Sequence, residues 1–110
     1  MSDTHLSKLI ISKADEAATP DKISTGALSR WLETDSARLR IVTYLSGYEA
    51  DHVCYDGHSF YVLEGNIKIE LGEEISNWSE GDAFIIPDKV PHRLLNPHKS
   101  NAKIIVVDNG

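Results

Sequence analysis

From Arg38 onward the chain is cut into short β-prone stretches by closely spaced turn residues, and no stretch between them has the length of an ordinary helix. Arg38 to Leu45 carries Ile41, Val42, Thr43 and Tyr44, residue types that fit a pleated surface. Ala50 to Tyr55 and His58 to Leu63 are separated by Asp56-Gly57, a strong hairpin signal. Asn66 to Leu71 alternates cleanly, with Ile67, Ile69 and Leu71 on one face and Lys68 and Glu70 on the other. Ile75 to Trp78, Ala83 to Ile86 and His92 to Leu95 follow, divided by Glu80-Gly81-Asp82 and Asp88-Lys89. Ala102 to Val107 is a near-continuous apolar run, the pattern of a strand buried on both faces. Such a succession predicts an all-β antiparallel barrel or sandwich.

Residues 1–36 have a different texture, rich in Ala, Ser, Thr and Asp. They read as an N-terminal arm: an edge strand at Lys8 to Ser12, a turn at Pro20-Asp21-Lys22, and a short helix or irregular arm over Gly26 to Glu33. Residues 37–110 form the barrel, and the whole is a single domain of 110 residues. Eleven basic against seventeen acidic residues give a formal charge of −6, which argues against a nucleic-acid binder. One cysteine excludes an intramolecular disulfide. The first thirty residues hold no apolar stretch of signal-peptide length and no run approaches a membrane span, so a soluble cytoplasmic protein is expected.

Chemistry concentrates in two clusters, Asp51 to His58 and Gly81 to Asn96. His52 and Cys54 are two apart, which on an extended strand sends both side chains to one face. Imidazole nitrogen and thiolate sulfur are ligands that borderline and soft divalent metals prefer. Isolated histidines such as His5 and His98 read as surface or hydrogen-bonded residues.

These clusters resemble the two signatures of the cupin superfamily, usually written G-x5-H-x-H-x(3,4)-E-x6-G and G-x5-P-x-G-x2-H-x3-N. Gly81, Pro87, His92 and Asn96 match the second, with Lys89 where glycine is usual. In the first, Gly47 precedes His52 by one residue too few, Cys54 stands for the second histidine, His58 for the glutamate, and Gly65 follows at the right interval. The resemblance covers residues 38–108 and implies a double-stranded β-helix (jelly-roll) barrel with an N-terminal arm. It implies His52, Cys54, His58 and His92 as ligands of one divalent transition metal, zinc, iron, nickel or copper. With Cys54 as thiolate the set is closed, three histidines and a sulfur, and suits zinc or iron. With Cys54 neutral, His52, His58 and His92 make an open three-histidine face suited to catalysis.

The implied function is a metal-dependent enzyme on a small oxygen-rich molecule, of dioxygenase, isomerase or lyase type. The alternative is a non-catalytic metal- or small-ligand-binding or sensing module. No carboxylate lies at a motif position, so a general base would be Tyr44, a metal-bound hydroxide or the substrate itself. Asn96 reads equally well as a turn residue, and Phe84, Ile86 and Leu94 as pocket wall. Apolar residues on both faces of several strands exceed what one barrel interior needs, which points to a homodimer.

Overall fold

The computed structural model describes residues 19–20, 26–50 and 52–109, and these contain strands and no helix. In chain order the strands are β1 (Thr19–Pro20), β2 (Ala27–Glu33), β3 (Ala37–Tyr44), β4 (His58–Glu64) and β5 (Asn66–Leu71). They continue with β6 (Glu74–Ser79), β7 (Ala83–Ile86), β8 (Arg93–Leu95) and β9 (Ala102–Asn109). Every pairing is antiparallel, in a six-stranded sheet ordered β1-β2-β3-β9-β4-β7 and a three-stranded sheet ordered β6-β5-β8. The expected all-β jelly-roll architecture is what the chain forms.

The two sheets close on one apolar core because period-two alternation gives each strand one inward row. Val42, Val62, Ile104 and Val106 from the larger sheet and Ile67 and Ile69 from the smaller are essentially inaccessible. β9 lies between β3 and β4, and only one of its faces is fully buried. Ala102, Ile104, Val106 and Asp108 point inward, while Ile105 and Val107 are half-buried on the outer face. The near-continuous apolar run therefore does not mark burial on both sides, as its sequence had implied.

Three local expectations are corrected. Gly26 to Glu33 is neither helix nor irregular arm: Gly26 turns the chain at φ 91°, and Ala27–Glu33 pairs with β3 along its whole length. Its weak helical propensity yields to hairpin pairing with the strand that follows it. Among the described residues from Ala50 to Tyr55 there is no regular strand; the Cys54–His92 bridge and single backbone bonds from Ala50 to Leu94 and from Lys89 to Tyr55 tie them to the barrel. Asp56-Gly57 is not a hairpin turn, because β4 pairs with β7 and β9 rather than with the segment before it. The Lys8 to Ser12 strand and the Pro20 to Lys22 turn fall largely outside the described residues.

Asn96 is more than a turn residue. Fully buried, its Nδ2 donates to the carbonyls of Tyr44 (3.0 Å), Leu45 (3.3 Å) and Ser100 (3.0 Å), and its Oδ1 accepts from the His98 N–H. Its main chain also bonds Gly47 and Tyr48. It thereby ties the end of β3 to the loop after β8. Asn96→Ala should leave these carbonyls buried without donors and lower stability by about 2–3 kcal/mol. A urea unfolding curve with an unchanged midpoint would contradict this role.

Candidate metal centre

Cys54 and His92 face each other as a reciprocally bonded backbone pair. The Cys54 N–H donates to the His92 carbonyl (2.8 Å) and the His92 N–H to the Cys54 carbonyl (3.0 Å). The chain then reaches β4 through Gly57, whose N–H donates to Asp88 Oδ1 (2.7 Å). A Cβ at Gly57 would lie 2.8 Å from the Asp88 backbone nitrogen, so only glycine lets the segment pass this close. His58, the first residue of β4, is thereby placed beside Cys54, with Nε2 3.5 Å from Sγ. Donor atoms of Cys54, His58 and His92 all lie within 4.8 Å of one another.

Both histidines are oriented by their other ring nitrogen. His92 Nδ1–H donates to the Val90 carbonyl (2.9 Å), which leaves Nε2 as the nitrogen with a lone pair. Burial lowers the His92 pKa; the Val90 bond opposes this, neighbouring His58 adds to it and Asp56 opposes it. The neutral form, the form that ligates, is thus favoured. His58 Nδ1 bonds Asp108 Oδ1, which directs Nε2 toward the cluster. The two rings meet edge to face, centroids 5.3 Å apart.

Asp108 is the functional residue that motif reading missed. It accepts from His58, from Arg38 Nε (2.6 Å) and from Arg40 Nε (2.9 Å) and Nη2 (3.0 Å). Burial alone would raise its carboxyl pKa, but the bonds from His58, Arg40 and Arg38 and the Arg40 charge hold it well below the usual range. Its position was readable: Ala102, Ile104, Val106 and Asp108 share one face of β9, which puts a carboxylate on the core side.

His52 is exposed on a bend and stands outside the close group, because the segment around it is not an extended strand. It borders the same cavity of about 700 Å³, as do Cys54, His58, His92, Tyr44 and Leu94. Tyr44 is buried with its ring 4.7 Å from that of Tyr48. Phe84 and Ile86 do not reach this cavity; Phe84 stacks between Phe60 and Trp78.

Residues 49–108 match the family model for the cupin domain. The chain is a cupin. Solved structures agree in fold. A cupin 2 conserved barrel domain protein from Salinispora arenicola superposes with TM-score 0.77 at 12% identity, covering 92% of this chain and 88% of that one. The cupin domain of Schizosaccharomyces pombe Cnp3 gives 0.68 at 18% identity, covering 81% and 68%. A structure from Silicibacter pomeroyi described as a sugar phosphate isomerase from a cupin superfamily gives 0.67 at 17%, covering 77% and 60%. No curated protein matches the sequence. Among the described residues no helix is long and apolar enough to cross a membrane.

In this cupin the donor chemistry fits a divalent transition metal: one sulfur and two imidazoles, each imidazole held through its far nitrogen. Asp108→Asn should destabilise the fold by about 3 kcal/mol at neutral pH, since two guanidiniums lose their charged partner. The depressed pKa of Asp108 means its contribution is present above the ordinary aspartate value of 3.8 and is lost as pH falls below it. The stability gap between wild type and Asp108→Asn should therefore shrink on acidification below pH 3.8. A gap constant with pH would refute the assignment.

Proposed function

We propose that this cupin is a metal-dependent enzyme acting on a small oxygen-bearing molecule. The observation that carries the reading is that the Cys54–His58–His92 group borders a cavity of about 700 Å³, a volume typical of small-molecule sites. Three protein donors leave coordination positions open, the pattern of catalytic rather than structural centres. The residues that would hold the metal are Cys54, His58 and His92, with His52 at the cavity rim. A metal there supplies Lewis-acid polarisation of a substrate oxygen. The protein's own part is to aim both imidazoles, through the Val90 carbonyl and Asp108, while burial favours the neutral form of His92. Oxygenation, isomerisation and lyase chemistry all fit such a site. The isomerase description of the Silicibacter pomeroyi structure belongs to that protein, and at 17% identity it lends this chain the fold alone.

The half-buried thiol favours a second reading, a metal- or redox-sensing module without turnover. A reduced thiol in the donor set accords with a cytoplasmic location. Cobalt titration distinguishes the ligand sets. Intense sulfur-to-cobalt charge transfer is expected, with His92→Ala weakening uptake by more than about 100-fold, beyond the loss of an outer-layer partner, and His52→Ala having little effect. Full cobalt uptake by a triple Cys54→Ala, His58→Ala, His92→Ala variant would sink the metal reading.

A second copy of the chain is the proposed partner. The outer face of the large sheet aligns Ile41, Ile105 and Tyr61 in one cross-strand row and Leu39, Val107, Ser59 and Ile85 in the adjacent one. Ile85 is 73% exposed and Tyr61 44%, an apolar area that an isologous pairing would cover. Light scattering should give twice the chain mass, and Ile85→Glu should shift it toward the monomer. A monomeric wild-type protein at micromolar concentration would overturn the dimer.

A further inference from the structure

Arginine is almost never buried without a partner, yet β3 carries two on its inner face, Arg38 and Arg40. Both meet the single carboxylate of Asp108. Arg40 turns two donors onto Asp108, whereas Arg38 gives it only Nε–H. Among the described residues no partner meets the terminal nitrogens of Arg38, and its side chain is 41% exposed. Both arginines border the large cavity. Its third arginine, Arg93, is already engaged by Glu49 and Glu70, and among the described residues Asp56 is the only carboxylate in its lining.

Arg38 also borders a smaller space of about 390 Å³, lined by Glu33, Asp35, Asp56, Asp88 and Asp108. That acidic wall repels an anion, so a negatively charged ligand of Arg38 is directed to the larger cavity. There the row Arg40–Val106–Phe60 places an aromatic ring two strands across from the arginines. Phe60 and His58, edge to face at 5.4 Å, line the same cavity.

We propose that the cavity receives a small planar carboxylate of the benzoate type, its carboxylate on the free guanidinium edge of Arg38 and its ring against Phe60. Planar guanidinium donors match a carboxylate in two-point geometry, as Arg40 already shows with Asp108. This assignment names the ligand class of the cavity and rests on reading that cavity as the small-molecule site.

Calorimetric titration with benzoate, benzamide and cyclohexanecarboxylate, on cobalt-loaded and chelator-treated protein, tests it. Benzoate should bind at least about tenfold more tightly than neutral benzamide, and more tightly than the non-planar acid. Arg38→Gln should remove most of the preference for benzoate over benzamide, and Arg38→Lys should restore part of it. Equal affinity for benzoate and benzamide, or no binding of benzoate up to about 10 mM, overturns the proposal. Cobalt uptake is read separately by its spectrum. Benzoate preference without cobalt uptake would overturn the metal reading alone, and cobalt uptake without benzoate preference would overturn this one alone.

Discussion

One carboxylate holds the functional end of the barrel together. Asp108 accepts hydrogen bonds from Arg38 and Arg40 on β3 and from His58 on β4, the two strands that flank its own in the sheet. An aspartate on a core face is costly unless its charge is met, and here two guanidiniums meet it. The same contact fixes which nitrogen of His58 faces the cavity. Fold stability and ligand geometry therefore depend on the same oxygen atoms. A change at Asp108 is felt in both.

The three candidate ligands are set by separate devices. Cys54 and His92 are locked by reciprocal backbone bonds, which place their side chains without help from the side chains themselves. His58 depends on glycine at position 57, which lets the chain pass against Asp88, and on Asp108 beyond the ring. His92 is turned by a backbone carbonyl, His58 by a charged side chain. The thiol near His58 Nε2 must lose its proton for sulfur to ligate, so metal uptake by this set releases a proton. The rest of the protein has only to keep the group dry on one side and open on the other.

Much of this was legible in the sequence. The strands from Arg38 to Val107 follow from alternation and turn residues, and the second cupin signature located His92 and Asn96 correctly on either side of β8. What was not legible came from strand pairing and from close contacts between chain segments. β2 has no strong pattern of its own and exists because β3 pairs with it. Asp56-Gly57 looks like a hairpin turn, but the glycine answers a steric demand thirty-one residues away at Asp88. His52 and Cys54 would share a face only if their segment were extended, and it bends instead. Lys89 holds a left-handed conformation (φ 69°) where the signature has glycine, which shows that the turn survives the substitution at some conformational cost.

The position of the cavity can be read from where inward-facing residues change character. Along β3 the inner row runs Arg38, Arg40, Val42, Tyr44; along β4 it runs His58, Phe60, Val62; along β9 it runs Ala102, Ile104, Val106, Asp108. β9 runs opposite to its neighbours, so its polar end, the last residue of the series, meets the polar first residues of β3 and β4. The register pairs Arg38, Asp108 and His58 in a single row across the three strands. The next row still carries Arg40 beside Val106 and Phe60, and beyond it apolar side chains fill the barrel. The cavity lies at the other end, where Arg38, Arg40 and His58 line it. The cavity, the arginine pair and the metal donors share that end because three inner rows switch from apolar to polar there.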